Sequence, residues 1–229
     1  MMEGIGMLRH AQTYGNLNRQ LSHYDTQISP EGKEKLTQRA QSNKGKFDGF
    51  VLISNGQPRC REVYDVLSAY NTLSAGIIDT RFDERNFGIF AEQTKEDVIE
   101  FLQLAYPELY ELLGDKFSRW MDQELVDVFG KLLYESNNSV RNRIETALID
   151  VMDNQFPGKN LLIITSSGVL RNLQALLLSK TTQEFDDFLE EQTGYNKIPN
   201  LAYTNFIRDE SSVEYQLQYF NRYDDNERL

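Results

Sequence analysis

The run Leu161-Leu162-Ile163-Ile164 limits what this chain can fold into more than any other stretch. Four consecutive aliphatic residues leave a strand without a polar face, so it must be covered on both sides. The polar loop Thr165-Ser166-Ser167-Gly168 follows, and Val169, Leu173, Leu176 and Leu177 then recur at helical spacing. A doubly buried strand feeding a helix is the unit from which parallel α/β sheets are built.

The same pattern recurs upstream. Gly4 to Leu8 reads as a first strand, Phe50 to Ile53 as a buried second and Gly76 to Asp79 as a short third. Ser29-Pro30-Glu31 offers a hydroxyl N-cap, a proline at the first helical position and an acid in the first turn. That helix runs to about Ser42, and Val63, Val66, Leu67 and Tyr70 mark a second one. Three further stripes follow: Val98, Phe101, Leu102, Ala105; then Leu125, Val128, Phe129, Leu132, Leu133; then Val140, Ile144, Ala147, Leu148, Val151. They predict an inserted helical subdomain over about 92–155. Alternating segments from Leu201 to Ile207 and Val213 to Tyr219, around the polar turn Arg208 to Ser212, predict an antiparallel hairpin at a sheet edge. The expected fold is α/β: one domain over 1–229, a three-layer α/β/α sandwich with a mostly parallel central sheet and the helical insert.

Charge and composition narrow the function. A formal net charge of −11 argues against nucleic acid or anionic membrane as a partner. No apolar run approaches a membrane span, and the N-terminus lacks the charged and apolar regions of a signal peptide. The single cysteine, Cys60, fits a reducing, cytoplasmic compartment. Two histidines and one cysteine, far apart, make no metal ligand set, and no cofactor is expected.

Ligands of open α/β sheets bind beyond the carboxyl ends of the strands. The first strand exit carries Arg9, His10, Thr13 and Asn16, the second Ser54 and Arg59, and the last Thr165, Ser166, Ser167 and Gly168, opening a helix. Asp83-Glu84-Arg85-Asn86-Phe87-Gly88 follows the third. Arginine forks suit phosphate oxygens, a histidine can be nucleophile or proton carrier, and a carboxylic acid can protonate a leaving group. Together they describe a site for a small phosphorylated substrate or ligand.

These residues also carry a resemblance. Leu8-Arg9-His10-Ala11-Gln12-Thr13-Tyr14-Gly15-Asn16 is similar to the signature of the histidine phosphatase superfamily, the phosphoglycerate-mutase-like enzymes. The likeness continues in order through Asp25 to Gly32, Ser54 with Arg59, Phe82 to Gly88, Glu135-Ser136 with Val140 and Arg143, and Ile198-Pro199-Asn200. It implies that His10 attacks a phosphoryl group to form a phosphohistidine. Arg9 and Arg59 would hold the phosphate oxygens, with Asn16 and Thr13 adding hydrogen bonds, and Glu84 would protonate the leaving oxygen.

The chain also departs from that family. Aligned on Ile163-Ile164-Thr165 and Gly168-Val169-Leu170-Arg171, Ser166 stands where the family has its second histidine, and Ala11 stands for the glycine after the first. A serine donates one hydrogen bond but cannot carry an imidazolium's charge, and losing such a donor commonly costs ~10²–10³-fold in rate. Two outcomes stay open: an impaired pocket, or His23 reaching the vacated position from the loop after the first strand. Function divides likewise, into a histidine-type phosphomonoesterase and a pseudoenzyme that binds a phosphorylated ligand or a protein partner. Mutase chemistry fits less well, since the Leu21 to Gly32 loop resembles that of cofactor-dependent mutases only loosely. Phe87, Phe90, Tyr106, Tyr110, Phe117 and Trp120 are expected to pack the insert against the sheet, with shaping of a pocket mouth as the alternative. No feature speaks to the substrate or to the oligomeric state.

Overall fold

A computed structural model describes residues 2–113, 135–178, 184, 198–209 and 215–222. Six strands form one sheet: β1 (Met2–Arg9), β2 (Val51–Ser54), β3 (Ala75–Ile78), β4 (Leu161–Thr165), β5 (Tyr203–Asp209) and β6 (Gln216–Arg222), in the order β3-β2-β4-β1-β5-β6. β1 to β4 run parallel, whereas β5 is antiparallel to both β1 and β6. The β4 run is buried at every position, as its unbroken aliphatic sequence requires.

Alternation along the strands sends side chains to two cores. Ile5, Met7, Val51, Ile53, Leu161 and Ile163 join Val140, Ile144 and Ala147 of α6 (Asn137–Ile149) and Val169 and Leu173 of α7 (Ser167–Leu178). Leu8, Leu52, Leu162 and Ile164 meet Leu36 and Ala40 of α2 (Pro30–Ser42) and Cys60, Val63 and Leu67 of α3 (Pro58–Tyr70). These are the three layers, and helix α2 begins and ends where its cap and proline predict.

Of residues 92–155 the structure describes 92–113 and 135–155. Helices α4 (Lys95–Ala105) and α5 (Pro107–Leu113) build a separate small core, Phe90, Val98, Leu102 and Leu109, with Phe87 and Tyr110 packed against it. α6 belongs instead to the helical layer over the sheet. Phe117, Trp120, the stripe from Leu125 to Leu133 and residues 210–214 of the hairpin turn lie outside the described residues. The polar stretch after β1 holds a short helix, α1 (Tyr14–Leu17), that periodicity does not reveal because it is a single turn.

The topology fixes the site. From β1 the chain passes to α2 on one face, and from its neighbour β4 to α7 on the other. Their carboxyl ends therefore diverge at a switch point, which leaves a crevice. The ends are in register: Arg9 lies opposite Thr165, and Ile164 opposite Ser54. The ladder carries on past the strand, with the His10 amide donating to the Thr165 carbonyl at 3.0 Å.

Candidate active site

His10 is buried at the end of β1, its Nδ1 2.7 Å from the Ala11 carbonyl oxygen. That oxygen can only accept, so the proton of the neutral ring sits on Nδ1 and the lone pair is on Nε2. Burial, followed by the charges of Arg59 and Arg9, holds the imidazole pKa well below its ordinary value. A neutral ring with a bare Nε2 is the form a nucleophile requires.

Around it the backbone is held closely. Asn200 donates its side-chain amide to the His10 carbonyl and to Asn16 Oδ1, both at 3.0 Å. Leu201, next in sequence, adopts φ 60, a left-handed conformation costly for a branched side chain. Thr13 caps α1, its Oγ1 accepting from the Asn16 amide at 3.2 Å while Asn16 Oδ1 accepts from the Thr13 amide. With Oδ1 twice engaged, the NH₂ of Asn16 is the group it offers a ligand. On the other side, Ser29, the N-cap of α2, binds the Gln12 carbonyl through its amide at 2.9 Å. A Cβ on Gly32 would lie 2.3 Å from that same oxygen, so only glycine lets α2 sit against the His10 loop.

The arginines differ in how they are used. Arg9 has its pKa lowered to about 10, chiefly by burial, with Glu84 opposing and Arg171 and Arg59 reinforcing the shift. Its Nη1 donates to the Ile198 carbonyl, and its Nε has no partner. Arg59 is completely buried. Its Nη1 donates to the carbonyls of His23 and Tyr24 at 2.9 and 3.3 Å, and its Nη2 to Gln57 Oε1 at 2.6 Å and Ser166 Oγ at 3.4 Å. Gln57 Oε1 also accepts from Asn55 Nδ2 and from the Glu84 amide, each at 3.3 Å.

Two cavities open beside these groups. One, of about 410 Å³, is lined by Arg9, His10, Asn16, Arg19, Glu84, Ser167, Arg171 and Asn200, among others. The second, of about 590 Å³, is lined by His23, Tyr24, Asp83, Glu84, Glu135 and Arg143, among others. Ser22, Glu84 and Phe87 belong to both. Glu84 Oε1 accepts from the Arg85 amide at 3.0 Å and lies 2.6 Å from where a Cβ on Gly168 would be. The loop bearing Glu84 is pinned from α6: Arg143 grips Glu135 with Nε at 2.7 Å and Nη2 at 3.0 Å, and Glu135 accepts from the Asn86 amide at 3.1 Å. Burial pushes the Glu135 pKa up, but the Arg143 bonds and charge outweigh it and hold the carboxylate low.

The structure thus brings Arg9, His10, Asn16, Glu84 and Ser167 to one cavity, as the sequence suggests. It does not place Thr13, Arg59 or Ser166 on that lining: Thr13 is spent as a cap, and Arg59 and Ser166 are buried behind it. The His23 side chain is exposed and lines the second cavity, with Nδ1 accepting from the Asp25 amide at 3.3 Å. Arg19, Arg171 and Asn200 are functional candidates that residue types alone did not single out. Arg171 was legible in principle, because one turn after Ser167 on a helix puts both on the same face. Among the described residues no group of three or more histidine, cysteine, aspartate or glutamate side chains could hold a metal ion, and no helix is long and apolar enough to cross a membrane.

Comparison with known proteins agrees with this architecture. Three solved structures that resemble the chain are a mycobacterial glucosyl-3-phosphoglycerate phosphatase, a phosphoglycerate mutase from Bacillus anthracis and a phosphoserine phosphatase from Entamoeba histolytica. The first matches with TM-score 0.70 at 18% identity, over 96% of this chain and 99% of its own. The second gives 0.72 at 17%, over 96% and 93%, and the third 0.68 at 18%, over 97% and 98%. At such identities the likeness concerns the fold. No curated protein sequence matches the chain. The family model of the histidine phosphatase superfamily, branch 1, matches residues 5–199, and the chain belongs to that superfamily.

Proposed function

We propose that the protein hydrolyses a phosphomonoester through a phosphohistidine on His10. The observation that carries the reading is the neutral, Nδ1-anchored His10 in a cavity shared with Arg9, Asn16 and the carboxyl group of Glu84. In the first step Nε2 attacks phosphorus, the P–O bond to the leaving group breaks, and Glu84 gives its proton to the departing oxygen. In the second, water attacks phosphorus, Glu84 takes a proton from it, the P–N bond breaks and inorganic phosphate leaves. Phosphoryl transfer needs mainly positioning and charge, which Arg9 supplies by contact and Arg59 by its field on His10. Ser166, as the occupant of the second-histidine position, brings no positive charge, so turnover is slow. The phosphatase names of two similar structures support hydrolysis over mutase chemistry, and the buried lone Cys60 supports a reducing, cytoplasmic setting.

A second reading, a pseudoenzyme that binds a phosphorylated ligand or protein, draws on Arg59, whose Nη groups are already taken by protein acceptors. Rapid alkaline quenching after mixing with a ³²P-phosphomonoester, which preserves an acid-labile label on His10, separates the two. No label despite substrate binding sinks the enzyme; activity gained by Ser166→His shows an otherwise competent pocket.

A further inference from the structure

Glu135 and Arg143 line the second cavity, yet both are already engaged with the protein. Arg143 places Nε and Nη2 on the two carboxylate oxygens of Glu135 and donates Nη1–H to the Arg81 carbonyl at 2.6 Å. Glu135 in turn exchanges two bonds with Asn86. Its Oε2 accepts from the Asn86 amide at 3.1 Å, and its own amide donates to the Asn86 carbonyl at 3.0 Å. One guanidinium therefore holds the chain at Arg81, before Glu84, and, through Glu135, at Asn86, after it. The upstream hold is doubled, because the Arg81 side chain donates to Asp150, the residue that follows α6, at 2.8 Å.

Glu84 needs such a frame. Among the described residues its carboxyl group accepts only from the amide of its neighbour Arg85, so no other side chain sets where it points. Its direction is inherited from the backbone of residues 81–86, and that backbone is fastened to α6. The helix starts at Ser136, whose Oγ accepts from the Ser139 amide at 3.2 Å, which fixes Glu135 just before it. Val140, Ile144 and Ala147 then bury α6 against the strands. The proton donor is thus placed relative to the same sheet that carries His10. Chemistry is sensitive to such placement: an error of about 1 Å can cost about 10²-fold in rate.

We propose that Arg143 is a positioning residue for proton transfer: by holding both flanks of Glu84 it decides how well esters are cleaved whose leaving oxygen needs a proton. The role rests on the reading of Glu84 as proton donor, and its test must separate the two. Leaving groups differ in that need. An ethoxide leaves phosphorus only with a proton, which Glu84 gives as the P–O bond breaks, whereas 2,4-dinitrophenolate leaves as the anion. Both esters yield the same phosphohistidine, and kcat/KM reports the steps up to its formation. The ratio of kcat/KM for ethyl phosphate to that for 2,4-dinitrophenyl phosphate therefore reads the acid, whereas general damage to the site lowers both values together.

A general acid contributes about 10²–10⁴-fold, so Glu84→Gln should lower that ratio by about 10²-fold or more and Arg143→Met by about tenfold or more. Arg143→Lys, which can reach one flank but not both, should fall between Arg143→Met and the wild type. In a Glu84→Gln background Arg143→Met should lower the ratio no further, because no acid is left to place. An unchanged ratio in Arg143→Met, or a further fall in the double variant, overturns the positioning role while Glu84 stands as the acid. An unchanged ratio in Glu84→Gln removes the acid, and the role of Arg143 with it. If the wild type cleaves neither ester, the phosphatase reading fails and takes both down. A thermal melt checks that each variant is folded; if Arg143→Met is not, a wild-type ratio in Arg143→Lys overturns the role.

Discussion

Arg59 donates Nη1–H to the backbone carbonyl of His23 at 2.9 Å, binding a buried guanidinium of α3 to the loop between α1 and α2. The side chain that sequence assigns to phosphate therefore also anchors that loop. Replacing it with Met removes the charged donor that the carbonyls of His23 and Tyr24 and Gln57 Oε1 share. Hydrogen bonds to a charged group contribute about 1.5–3 kcal/mol each, so Arg59→Met should lose about that much in urea unfolding, besides any loss of phosphate binding. Arg171→Gln, which removes no hydrogen bond among the described residues, should melt close to the wild type.

The depressed pKa of His10 makes a signed prediction for stability. In the unfolded chain the imidazole titrates near its ordinary value of about 6.5, whereas the folded protein protonates it only at much lower pH. Below about pH 6.5 the unfolded state takes up a proton that the native state refuses. Stability falls with falling pH in that window, by up to about 1.4 kcal/mol per pH unit from this group. Urea unfolding at about pH 7 and pH 5.5 should show a smaller drop for His10→Gln than for the wild type. An identical drop would assign the effect elsewhere.

Gly168→Ala should separate folding from chemistry. The added Cβ meets the far end of the Glu84 side chain, which can swing away, so the fold tolerates it. Alanine in place of a helical glycine can add up to about 1 kcal/mol. The melting temperature should hold or rise while kcat drops, because the displaced carboxyl group is the proposed proton donor.

Gly32→Ala is expected to behave oppositely. Here the Cβ meets backbone, the Gln12 carbonyl, and Ile28 Cγ2 at 2.9 Å, neither of which can move without shifting the His10 loop or α2. Overpacking of this kind costs about 1–3 kcal/mol. Chemical denaturation should register it, with phosphate affinity falling in parallel.

Cys60 should be chemically silent in the native state. Burial pushes its thiol up to about 12, despite the neighbouring Arg59. Iodoacetamide at neutral pH should label it slowly in buffer and rapidly in urea, since the thiolate is the reactive form. Rapid native labelling would mean that α3 opens.

Much of the frame was legible because it rests on local patterns. The aliphatic run of β4, the Ser29-Pro30 start of α2 and the order of strands and helices each follow from period and capping chemistry. The site was half legible. Arg9, His10, Asn16 and Glu84 converge because they leave strands whose ends are in register, a relation that follows once the sheet is parallel. The fates of Thr13 and Arg59 were not legible, since residue type shows a donor but not which acceptor claims it. Arg19 depends on a backbone conformation that side-chain preferences argue against, and α1 is too short to leave a period. α4 and α6 carry similar apolar stripes, and only packing tells that one covers its own small core and the other the sheet.

Gln57 Oε1 receives Arg59 Nη2, Asn55 Nδ2 and the backbone amide of Glu84. One oxygen thus serves as the common reference point for a cation on α3 and for the loop that carries the carboxyl group. Neither can drift without tugging on the other, so their separation is kept by a single shared atom and is not the sum of two independent placements. Substitutions that loosen either partner should consequently be felt as a change in spacing, a mechanical linkage between charge and proton donor built at the cost of one amide side chain.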